Sequence, residues 1–165
     1  MLAHLLAFGV FAAEVVLPPG HGEAIAGAEH TTAPLKAPGG SGSASIPLGA
    51  TFWASPMDPA DRKPYAIDWS KVLEADEQVD ELVHVTMSED GAMVGVQIDT
   101  SEDRTPIIDA GGKKVQVWFL CLPEFQDDPA FSGAGVNIAV TCQIRTDAEP
   151  YRQIERTSVL TVRQQ

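Results

Sequence analysis

The stretch Val136–Thr146, VNIAVTCQIRT, alternates between two kinds of side chain over its whole length. Val136, Ile138, Val140, Cys142 and Ile144 fall on one face, and Asn137, Ala139, Thr141 and Gln143 on the other. That period of two belongs to a strand with one buried face. After a DAEP turn, RQIERTSVLTVR carries Ile154, Ser158, Leu160 and Val162 on one side, so the two segments read as a hairpin. KKVQVWFLCL is apolar on both faces beyond Val117, as a central strand would be. GAMVGVQID alternates through Val94, Val96 and Ile98 after an SEDG turn, ELVHVTMS and PYAIDW make two more strands, and TPIID a short edge strand. SKVL reads as one helical turn and the acidic EADEQVDE as an exposed connection, although Val72, Leu73, Val79, Leu82 and Val83 also stand at helical spacings. About seven short strands separated by Gly, Pro and Asp turns predict an all-β fold, an Ig-like antiparallel β-sandwich.

Upstream the pattern stops. Residues 18–50 contain five prolines and seven glycines with no sustained periodicity, so this stretch builds no core of its own. The expected organisation is an extended Gly/Pro/Ala-rich N-terminal arm over residues 1–50 and a sandwich over residues 51–165. The first residues, MLAHLLAFGVFAAEVVL, are apolar. They lack a basic leader region, Glu14 interrupts the run, and the run is short for a membrane span of about 20 residues, so it is expected to be retained. Leu2, Leu5, Leu6, Phe8 and Phe11 then need a surface to pack on, either this domain or a neighbouring subunit. Trp53, where the arm meets the domain, either packs the arm down or faces a partner, since aromatic residues are enriched at interfaces.

A formal net charge of −12, from 23 acidic and 11 basic residues, argues against nucleic acid and anionic membranes as partners. The acidic residues cluster in turns such as SEDG, TSED and QDDP, where carboxylates serve solubility and local hydrogen bonding rather than paired acid–base chemistry. No EF-hand spacing is present, His4, His21 and His30 lie in the arm, and His84 stands opposite the Val83, Val85 and Met87 face, so no metal set is expected. There is no nucleophile elbow, no P-loop and no dinucleotide fingerprint, and neither cysteine neighbours a histidine. Cys121 and Cys142 sit in apolar runs, either as two buried free thiols or as an inter-strand disulfide. The chain reads as a non-enzyme that needs no cofactor.

In YAIDWSKVL, Tyr65, Ile67 and Trp69 share one face and Asp68 points the other way. Ser70 is placed to cap the turn that ends at Leu73. Asp68 either holds that turn or pairs with a basic side chain such as Arg156, and Trp118 is a core or sheet-face residue. Several short motifs follow one another in order. They are Asp61-x-x-x-Tyr65-x-x-Asp68-Trp69-Ser70-x-x-Leu73, Val117-Trp118, Gly133-x-Gly135 leading into Val136–Thr146, and Glu155-Arg156-Thr157-x-x-Leu160-x-Val162-Arg163. Over about residues 58–165 this resembles the small Ig-like virion proteins of tailed bacteriophages known as fibre–tail adaptors. The resemblance implies a structural protein of the virion, assembled in the bacterial host cytoplasm. It also implies oligomeric packing against tail, fibre or capsid subunits, with Tyr65, Asp68, Trp69, Ser70, Trp118 and Arg156 as fold anchors. Two features depart from the family: the long arm before the Asp-x-x-x-Tyr motif, and the long loop LPEFQDDPAFSGAG. A long arm also suits a capsid cement protein, and a secreted carbohydrate- or calcium-binding domain is a third reading.

Overall fold

The computed structural model describes residues 32–34, 46–47 and 49–165, the first three by their backbone. The arm residues Leu2, Leu5, Leu6, Phe8 and Phe11 lie outside the described residues. The elements are β1 (Thr32–Pro34), β2 (Thr51–Phe52), β3 (Arg62–Asp68), β4 (Val79–Met87), α1 (Glu89–Met93), β5 (Val96–Asp99), β6 (Ile107–Ile108), β7 (Lys114–Cys121), β8 (Val136–Thr146) and β9 (Gln153–Val162).

They form an all-β sandwich of two sheets. One runs β1-β3-β7-β5, with β6 also on β7, and the other runs β2-β9-β8-β4. β3 covers one edge of β7 from Arg62↔Leu120 to Asp68↔Lys114. β5 and β6 therefore lie end to end along its other edge, Val96↔Cys121 to Asp99↔Trp118 and Ile107↔Gln116 to Ile108↔Val115. From β3 onward every ladder is antiparallel, and the chain crosses between the sheets from β3 to β4, from β4 to β5 and from β7 to β8, as an immunoglobulin-type sandwich allows. The two upstream strands differ from the antiparallel expectation. β1 joins β3, and β2 joins β9, in parallel.

Alternation decides what is buried. Val115, Val117, Phe119 and Cys121 of β7 face Ile138, Val140, Cys142 and Ile144 of β8 across the core, joined by Tyr65, Ile67, Leu160 and Val162. At roughly 1.5–3 kcal/mol for each fully buried large apolar side chain, this layer is the main driving force for folding. The loop before β8 adds Phe131, fully buried on a 3₁₀ turn that Asp128 caps through Ala130 N–H at 2.8 Å. Gly135 then begins β8 at φ 73°, where a Cβ would stand 2.2 Å from the Val162 carbonyl oxygen. Only glycine fits that approach.

Two expectations are corrected. GAMVGVQID is not a strand throughout: Glu89–Met93 make one helical turn, and β5 begins at Val96. Val94 and Gly95 donate back to Gly91 and Ala92, and Gly95 reverses the chain at φ 73° over the Phe125 ring. The connection EADEQVDE is not wholly exposed. β4 starts at Val79, and Glu77 retains only 4% of its accessible surface.

Candidate functional site

Residues 51–57 run beside β9 and close one open side of the sandwich. Trp53 N–H donates to the Val159 carbonyl at 3.1 Å, Met57 N–H to Thr161 at 2.9 Å, and Arg163 N–H to Met57 at 2.9 Å. Thr51 pairs with inward-facing Ser158 and Phe52 with Val159, so the alternation sends Phe52 out, 51% exposed, and Trp53 in. The Trp53 indole N–H then reaches the opposite sheet and donates to the Ala66 carbonyl at 2.9 Å. Its ring packs at a tilt against Tyr65 and edge-on against Phe119, at centroid distances of 5.3 and 6.0 Å. Trp53 is thus a clasp between this domain's own two sheets, buried to 3%, and the expectation that it faces a partner is corrected. Sequence reasoning missed this because the inward direction depends on the parallel register with β9, more than 100 residues away.

The motif after β3 is a local device. Asp68 Oδ1 accepts from Ser70 N–H at 2.9 Å and from Ser70 O–H at 2.6 Å, while Val72 and Leu73 N–H groups donate to the Trp69 carbonyl. Asp68, rather than Ser70, is therefore the acceptor that holds the turn. Arg156 does not pair with it. It stands on β9 in the other sheet and donates to the Glu155 carbonyl at 2.7 Å. Tyr65 and Trp69 are fully buried core residues. Burial raises the Tyr65 hydroxyl pKa, with the Asp61 charge adding to the effect. Tyr65 Oη, Trp69 Nε1 and Ser158 Oγ are buried without a hydrogen-bond partner among the described residues.

Trp118 lies on the outer face of the five-stranded sheet, opposite Pro64 and Asp99 in register. The Arg104 guanidinium stacks over its ring at 5.5 Å. Asp99, 3% exposed, accepts from Arg62 Nε at 2.5 Å and from Ser101 N–H and O–H at 3.0 and 2.6 Å. Burial opposes its charge, but the Arg62 and Ser101 hydrogen bonds outweigh it and hold the carboxyl below its usual pKa.

At the end of the sandwich where the β8–β9 hairpin turns, Glu74, Asp76, Glu77, Asp147, Ala148, Glu149 and Arg152 line a cleft of about 350 Å³. Glu77 is its buried member, bonded by both Arg152 Nε (2.7 Å) and Nη2, and by Glu74 N–H at 3.0 Å. Those Arg152 bonds overcome burial and lower the Glu77 pKa to about 2. Lys113 Nζ reaches the carbonyls of Glu74, Ala75 and Glu77, so the loop's oxygens are directed at one ammonium of the chain itself.

Elsewhere carboxylates hold turns. Asp109 accepts from Lys113 and Lys114 N–H at 2.7 Å, Asp147 from Gln78 N–H at 2.7 Å, and Asp58 from Ala60 and Gln165 N–H. His84 Nε2 lies 3.4 Å from Glu155 Oε2 on the outer face of the four-stranded sheet. Among the described residues no group of His, Cys, Asp and Glu side chains is arranged to hold a metal, and no helix is long and apolar enough to cross a membrane. Cys121 and Cys142 are buried free thiols. Burial, with Asp128 and Glu124 assisting, raises the Cys121 pKa to about 11. Comparison of the chain with protein-family models, curated proteins and solved structures gives no match.

Proposed function

We propose that this is a non-enzymatic structural protein of a bacteriophage particle, whose sandwich is a rigid body and whose N-terminal arm attaches it to neighbouring subunits. The observation that carries this reading is the placement of upstream residues on both sheets. β1 extends the edge of β3, and residues 51–57 run along β9. A fold whose β3 edge takes a strand from the arm has a direct means of assembly, because main-chain hydrogen bonds supply affinity at an edge whatever the chain that brings them. The polar side chains support the same reading, since Asp68, Asp99 and Glu77 are each consumed in holding turns or ion pairs. The order of short motifs from Asp61 to Arg163 favours a tail or fibre-attachment position. Capsid decoration is the second reading, favoured by the length of the arm.

Quantitative mass spectrometry of purified particles tests this. The expected result is the chain in tens of copies or fewer per particle for a tail component, and in hundreds for a head decoration. Its absence from particles that are otherwise complete would remove the proposal.

A further inference from the structure

The edge of β3 holds one strand, paired as Thr32↔Ala66, Ala33↔Ile67 and Pro34↔Asp68. This is a short ladder beside the usual strand of about 5–6 residues. Pro34 ends it where β3 itself ends, at a position that demands no donor from proline. β1 is joined to β2 by the sixteen residues 35–50, a stretch rich in Gly, Ser and Pro. A chain of that length can span roughly 50 Å, whereas stacked sheets lie only about 10 Å apart. The tether is therefore long enough for β1 to reach the equivalent edge on an adjacent molecule.

We propose that β1 is an exchangeable strand, and that the β3 edge of one molecule takes β1 from a second copy of this chain when copies are crowded together. This rests on the assembly role proposed above and names its partner. The occupant follows from the register: the edge fits Thr32–Pro34, and every copy carries both that strand and that edge. Reciprocal exchange gives each β3 edge one β1, so it closes rather than propagates. The ladder is the same in the closed and exchanged forms, and the balance is set by the tether. Because β1 is covalently joined to the β3 that it pairs, own-chain pairing does not depend on concentration, whereas exchange between copies rises with it. Own-chain pairing prevails in dilute solution, and exchange competes as copies are packed more densely.

The test uses two full-length variants, Thr32→Cys and Ala66→Cys, co-refolded as a mixture and then oxidised, with a double variant carrying both changes as reference. The native Cys121 and Cys142 are buried and do not compete. The double variant is expected to close within one chain at about 10 µM. The mixture is expected to give an inter-chain disulfide whose fraction rises about tenfold or more between 10 µM and 1 mM. Closure of the double variant with no inter-chain bond in the mixture at 1 mM overturns exchange. Failure of the double variant to close overturns the pairing on which it depends. Either result, for a chain that is nonetheless found in particles, removes the exchange and leaves the structural role standing.

Discussion

Trp53→Ala is expected to destabilise the domain by about 3–5 kcal/mol, the cost of truncating a large buried aromatic residue. That is a large share of the roughly 5–15 kcal/mol that holds an ordinary domain together. Three losses combine. The ring leaves a space beside Tyr65 and Phe119, the two ring contacts vanish, and the Ala66 carbonyl loses its indole donor. The melting midpoint should fall by about 10–20 °C, measurable by circular dichroism or calorimetry. Trp53→Phe separates the contributions. It keeps most of the ring and removes the N–H, so it should cost less, about 1–3 kcal/mol for an acceptor left without its partner. Equal stability of Trp53→Ala and the parent would mean that the clasp between the sheets does not form.

The second large effect is at Glu77 and Arg152. Arg152→Ala leaves a buried carboxylate without its guanidinium, a change that costs about 3–5 kcal/mol for a fully buried pair. The Arg152 side chain is 42% exposed, so water screens the pair and the expected loss is smaller than that, read as a lower denaturant midpoint. The pH dependence has a definite sign. The Glu77 pKa is lowered in the folded chain, from 4.5 to about 2, chiefly by the Arg152 hydrogen bonds against the opposing effect of burial. The unfolded chain therefore binds the proton first as pH falls, and the stabilisation is complete above about pH 4.5 and is lost progressively toward pH 2. Denaturant titrations across that window should show a steeper loss of stability in the parent than in Glu77→Gln, which has no carboxylate to protonate. Parallel pH profiles for the two chains would contradict the assignment.

How much of this was legible in the sequence depended on the range of each interaction. The alternation from Val136 to Thr146 is a local signal, and the structure carries it in full as β8. The Asp68–Ser70 bonds join residues two apart, so a turn held by Asp68 could be read directly from YAIDWS. Glu77 could not be read in the same way. It sits in a run of acidic residues that looks solvated, and its partner Arg152 is 75 residues further along. The helical turn Glu89–Met93 was hidden by Val94, Val96 and Ile98, whose spacing suits a strand, whereas Gly91 sits against the Met87 side chain and Gly95 against the Phe125 ring. The direction of Trp53 required the parallel addition of β2 to β9, which no local pattern encodes.

The account rests on the claim that the first fifty residues attach a self-sufficient sandwich to its neighbours. Phage particles assembled with the chain lacking residues 1–50 test it most directly, with circular dichroism confirming that the shortened domain is folded. The predicted result is a folded domain that is missing from the purified particles. Incorporation of the shortened chain at the level of the full-length protein would contradict the account.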